Sequence, residues 1–154
     1  MTLLQRLTVL AGLAATFFTT AAQAGDTIRI GEINSYKAQA AILEPYRKGW
    51  ELALEQVNAA GGVNGKKVEV VWRDDGANPG DAVRSAEDLL VRENVDLLMG
   101  GYLSHVGVAL ADFAKQRKVV YLASHPLSDR IVLQAGNHYT FRLRSSTYML
   151  SAML

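Results

Sequence analysis

Cysteine is absent from the 154 residues. That excludes disulfides, thiolate metal sites, a cysteine nucleophile and the acylated cysteine of a lipoprotein. A charge excess is missing too. A formal net charge of +1 without a basic cluster gives no support for nucleic acid or a lipid surface as partner. Signatures of nucleotide chemistry are also lacking. The loop after the first expected strand has neither GxGxxG nor GxxxxGK(S/T), and Gly76 to Gly80 supplies neither spacing. No Gly-x-Ser-x-Gly elbow or ordered serine–histidine–acid set stands out. A nucleotide-dependent or other enzyme on a Rossmann-like fold is thus an alternative without a motif, and no cofactor is expected. A structural or interaction protein remains a third class.

What is present describes an ordinary globular chain. Hydrophobic residues make up 49% and charged residues 20%, and the length suits one domain. The first six residues carry one basic side chain, Arg6, and 7–18 is a mostly apolar run. Ala22, Gln23 and Ala24 then form a small-x-small cleavage site, which predicts a signal peptide over 1–24 and a mature chain from Gly25. A run of roughly a dozen residues falls short of the ~20 a membrane span needs, so cleavage rather than insertion is expected. Loss of Arg6 would leave equal numbers of acidic and basic side chains. The chain reads as exported.

The rest alternates between two periods. Residues 27–33, TIRIGEI, read as a first strand, and 34–44 as a loop. Tyr46, Trp50, Ala53, Leu54 and Val57 fall on one face of a helix, with Pro45 suited to its first position and Gly61 and Gly62 to its end. Residues 68–72 are a second strand. Asn78 and Pro79 start a second helix that buries Ala82, Val83, Ala86, Leu89 and Leu90. Residues 95–99 form a third strand closed by Gly100 and Gly101. Ser104 is expected to cap a helix facing inward through Val106, Ala109, Leu110 and Phe113. Strands at 119–123 and 139–143 follow, and Ser145 or Ser146 opens a last helix. Strand, helix, strand repeated three times predicts a doubly wound parallel sheet with helices on both faces.

A family resemblance rests on these residues. Glu44, Pro45 and Tyr46, the helix with Glu51 and Glu55, its ending NAAGGVNG (58–65) and the pair Asp74 and Asp75 resemble type I periplasmic substrate-binding proteins, in the branch that includes branched-chain amino-acid binders. The resemblance runs from about Ile28 to the last residue. It implies a soluble, non-enzymatic, periplasmic receptor that passes a small solute to the membrane permease of an ABC importer. Members have two lobes joined by crossover strands and more than twice this length. The expectation is therefore a first lobe over 25–144 and the start of a crossover helix over 145–154, cut from a larger whole. Tyr148, Met149, Leu150, Met153 and Leu154 would leave apolar surface uncovered in that helix.

Ligands of an open parallel sheet sit beyond the carboxyl ends of its strands. Four loops meet there: 34–37, 74–78, 100–105 and 124–128. Two glycines let the backbone of the third approach a ligand, and Ser104 either offers a hydroxyl and free N–H groups to an anion or is a helix cap only. The resemblance places a ligand's carboxylate and ammonium on the third and fourth loops, where Tyr102, Ser104, Ser124 and His125 match; Tyr36, in the first loop, completes the expected ligand-binding set. His125, Pro126 and Leu127 depart from the small residues usual in amino-acid binders. The solute is accordingly an amino acid, an amide or an aromatic acid. No metal is expected, since His105 and His125 lack a third ligand and metal-motif spacing. Asp74 and Asp75 read as loop-capping carboxylates.

Overall fold

Alternation along the first strand decides how the sheet is built. The computed structural model describes residues 27–154, so the expected signal peptide lies outside the described residues. In β1 (Ile28–Asn34), Gly31 and Ile33 turn towards one layer, while Ile30, Glu32 and Asn34 turn to the opposite face. β2 (Val68–Asp74) pairs with β1 in parallel from Ile28↔Val68 to Asn34↔Asp74. β3 (Leu97–Gly100), β4 (Tyr121–Ala123) and β5 (Thr140–Arg142) extend the other edge, giving the all-parallel order β2-β1-β3-β4-β5.

The crossover helices are α1 (Ala40–Ala59), α2 (Pro79–Val91) and α3 (Ser104–Arg117). The first connection runs outward from β1, and the next two run the opposite way. Right-handed crossovers therefore put α1 on one face and α2 with α3 on the other. The reversal lies between β1 and β3, the position at which such sheets open a crevice. A short α4 (Thr147–Ala152) ends the chain, with Ser146 Oγ accepting from Met149 N at 3.3 Å as its cap.

The α2–α3 face forms the core. Ala82, Ala86, Leu89, Val106, Leu110 and Phe113 pack against Ile33, Leu98, Tyr121 and Ala123, all buried. The start of α2 follows its sequence signals. Asn78 Oδ1 accepts from Gly80 N at 2.8 Å and Asp81 N at 3.2 Å, and Pro79 needs no N–H there.

Four expectations need correction. α1 begins at Ala40, so Pro45 is inside the helix rather than at its first position. The extra turn buries Leu43 completely, and Leu43 N bonds Gln39 O at 2.9 Å; this tertiary gain outweighs the backbone bond that proline cannot make. The face read as inward on α1 is only partly covered. Tyr46, Trp50 and Leu54 are half-buried and Ala53 exposed, beside an apolar hollow of about 290 Å³ that Ile28, Ile30, Val57 and Val63 also line. Ser104 is not a cap either: Leu103 occupies that position and makes no side-chain cap bond. The strand ends are displaced by at most two residues. β1 and β2 run on in register to Asn34 and Asp74, whereas β3, β4 and β5 are shorter than expected.

In α4 no residue is buried, and Tyr148, Met149, Leu150, Met153 and Leu154 are exposed, the placement foreseen for them. None of the described helices is long and apolar enough to cross a membrane.

Candidate functional site

The loops after β1, β3 and β4 are tied together by hydrogen bonds at the carboxyl edge. Gly100 and Gly101 adopt φ of 113° and 75°, and the turn they make lets Gly101 N reach Ile33 O at 2.8 Å. Tyr102 N then donates to Asn34 Oδ1 at 2.6 Å. Tyr121 Oη donates to Gly100 O at 3.0 Å, and Ser124 N does so at 3.3 Å. Ser104 Oγ accepts from Leu127 N and Ser128 N, each at 3.2 Å. Its hydroxyl thus stitches the loop after β4 to the start of α3. The proton of that hydroxyl remains available to an acceptor in the crevice.

The loops after β3 and β4, with Arg144 just past β5, enclose a cleft of about 230 Å³ lined by Tyr102, Leu103, Ser104, His125, Leu127 and Arg144. Leu103 and Leu127 supply apolar wall, Tyr102 an apolar body with a polar tip, and Arg144 a guanidinium. The His125 ring stands between Tyr46 (centroids 4.6 Å apart, planes at 76°) and Tyr102 (5.5 Å, 52°). Its Nδ1 meets Ser124 Oγ at 2.9 Å. Burial, and secondarily the positive charge of Arg144, push the imidazole below its ordinary value, so it is neutral at pH 7.

Of the five residues expected from sequence, Tyr102, Ser104 and His125 meet in this cleft, and Ser124 supports His125 from beside it. Tyr36 does not line it. Its hydroxyl donates to Glu32, and its ring stands edge-on to Trp72 at 5.9 Å. His105 is exposed and meets Ala77 O at 3.2 Å, away from His125's surroundings. Among the described residues no group of three acidic, histidine or cysteine side chains gathers where it could hold a metal. Asp75 Oδ1 accepts from Ser35 Oγ at 2.7 Å and Ala77 N at 2.8 Å, and Asp74 Oδ1 from Lys37 N at 3.1 Å, so both aspartates brace loops as the sequence suggests.

Sequence reasoning missed Arg144 and Glu32. Arg144 sits two residues past β5, so the strand-end rule that selected the other loops would have selected it too. Glu32 reads as one more polar position in an alternating strand, but its side chain is fully buried. A larger hollow of about 550 Å³ lies beside Arg84, Glu87 and Asp88 on α2 and Arg92 just after it. It is an open, charged surface away from the strand ends, and it presents no convergent set of groups.

Comparison with known proteins identifies the family. The profile of a family described as periplasmic binding protein matches residues 27–154. The Leu/Ile/Val-binding protein homolog 7 of Brucella abortus (strain 2308) is 31% identical over 112 residues, which is 72% of this chain and 28% of that protein. Among solved structures, the branched-chain amino acid transporter substrate-binding protein of Streptococcus pneumoniae in complex with isoleucine is 28% identical, with a TM-score of 0.70 over 79% of this chain and 34% of that one. A solute-binding protein of an ABC transporter from Rhodopseudomonas palustris BisB5 in complex with 3,4-dihydroxybenzoic acid is 26% identical, with a TM-score of 0.69 over 78% and 32%. The chain thus spans about a third of the length of the proteins it resembles.

Proposed function

The chain belongs to the periplasmic binding protein family, and from that premise we propose that it supplies the first lobe of an exported receptor for a small organic acid or amino acid. The receptor captures its solute in the crevice between two lobes and delivers it to the permease of an ABC importer. It returns the solute chemically unchanged. Residues 25–144 form the lobe, and α4 leads towards the second one.

The observation that carries this reading is the cleft at the strand ends. Its apolar walls and single guanidinium suit a carboxylate attached to a compact aliphatic or aromatic body. Isoleucine and dihydroxybenzoate, the solutes of the two structural relatives, share that chemistry. Ser104 and the neutral His125 offer further hydrogen bonds, and Tyr102 offers a ring face to the body of the solute.

Calorimetric titration of leucine and 4-hydroxybenzoate into the two-lobed protein tests the assignment. Arg144→Gln should weaken carboxylate binding tenfold or more, since a hydrogen bond to a charged group is worth about 1.5–3 kcal/mol. Ser104→Ala should cost about 1 kcal/mol of affinity, with some loss of stability because Leu127 N and Ser128 N lose their acceptor. Unchanged affinity in both variants would remove the cleft from the mechanism, and turnover of the solute would make the protein an enzyme.

A further inference from the structure

Glu32 stands at the carboxyl end of β1 with no exposed surface. Oε1 accepts from Asn34 Nδ2 at 2.6 Å, and Oε2 accepts from the Tyr36 hydroxyl. The titratable groups around it are Tyr36 in the loop after β1, Tyr46 on α1 and Asp75 after β2, with Tyr121 of β4 acting from the other face of the sheet. None of these is a cation. Tyr46 Oη lies close by, buried and without a well-formed hydrogen bond.

The Asn34 side chain links this carboxylate to the cleft. While Nδ2 donates to Glu32, Oδ1 accepts the Tyr102 amide at 2.6 Å. An ionised carboxylate is acceptor-only, so it fixes which end of the Asn34 amide faces Tyr102. A protonated carboxyl must donate one hydrogen. Donation to Tyr36 would reverse that bond, and donation to Asn34 would turn its NH₂ towards Tyr102 N–H, setting two donors face to face.

We propose that Glu32 is a positioning residue of the crevice: its ionised carboxylate orients Asn34, and Asn34 holds the Tyr102 loop in the geometry that receives a ligand. The ligand part of this inference rests on the receptor reading; the coupling of Glu32 to Tyr102 does not. Burial pushes the Glu32 carboxyl up to about 7, only partly opposed by the bonds from Tyr36 and Asn34, so its charge changes within the physiological range.

The test is a pH series of ¹⁵N–¹H spectra of the whole chain from pH 5 to 9, without ligand. The Tyr102 backbone amide and the Asn34 side-chain amide should titrate together with a midpoint near 7. Glu32→Gln should abolish both transitions. His125→Gln should leave them in place, although His125 lies beside Tyr102. Tyr36→Phe should keep them with a raised midpoint, because it removes a bond that favours the charged form; this variant and the wild type decide the matter if Glu32→Gln does not fold. A flat Tyr102 amide in the wild type, or transitions that survive Glu32→Gln or vanish with His125→Gln, would overturn the coupling and leave the receptor reading standing. Intact transitions without binding of leucine or 4-hydroxybenzoate to the two-lobed protein would overturn the ligand role alone.

Discussion

Gly100→Ala is expected to destabilise the fold by more than about 4 kcal/mol, which places it in the small class of single substitutions that threaten folding outright. Gly100 closes β3 opposite Ile33 in the β1 ladder, with φ at 113°. A Cβ built there would stand 2.1 Å from Ile33 O, 2.9 Å from Ile33 C and 3.1 Å from Glu32 Oε1. Positive φ alone costs an L-residue about 1–2 kcal/mol. The larger part is the clash with backbone that two strand pairings hold in place, so relief requires parting β1 from β3. Total stabilities are only about 5–15 kcal/mol. Gly49→Ala provides the contrast: it lies within α1, a Cβ there meets nothing within 4 Å, and helix propensity should raise stability by about 0.5–1 kcal/mol. Urea unfolding of both variants against wild type measures the difference. A Gly100→Ala protein within 1 kcal/mol of wild type would contradict the close approach of β3 to β1 at Gly100.

Glu32→Gln should stabilise the folded chain at pH 8 by about 1–3 kcal/mol and give no such gain at pH 4. The carboxyl ionises at 4.5 in a model compound and at about 7 in the fold, chiefly because burial penalises its charge. Between those values the native state holds a proton that the unfolded state has released. Stability therefore falls as pH rises from about 4.5 to 7 and stays at the lower level above it. The interval corresponds to about 3 kcal/mol. Glutamine carries no charge to desolvate, but it cannot match the carboxylate as acceptor for both Asn34 and Tyr36, which offsets part of the gain. Unfolding midpoints at pH 4 and pH 8 for variant and wild type give the answer. Equal wild-type and variant stabilities at both pH values would show that the carboxylate is not strained by burial.

Local signals accounted for most of the fold, because strand alternation and helix periodicity are properties of neighbouring residues. Asn78 and Pro79 began α2 where they stood in the sequence, since cap and proline act within one turn. Pro45 misled for the converse reason. Its suitability for a first position is local, while the burial of Leu43 two residues earlier depends on tertiary packing. The same limit governs the site. Tyr102, Ser104 and His125 could be placed by the rule that loops at strand ends converge. That Ser104 would serve two amides from residues 127 and 128 depends on how those loops approach each other. Glu32 was invisible as a chemical group because what makes it unusual is its burial, and the groups around it, Tyr36, Tyr46 and Asp75, come from separate elements.

The most direct measurement of whether the strand-end cleft is the binding surface is an NMR titration of the ¹⁵N-labelled chain with leucine and, separately, 4-hydroxybenzoate. On the proposed two-lobe reading this chain offers about half of the enclosure that small-ligand sites normally provide, so binding should be weak, with Kd in the millimolar range. The expected result is a set of saturable shifts confined to Tyr102, Leu103, Ser104, Ser124, His125, Leu127 and the Arg144 side chain. Shifts centred on the hollow beside Arg84 and Arg92, or micromolar binding by this chain alone, would contradict it.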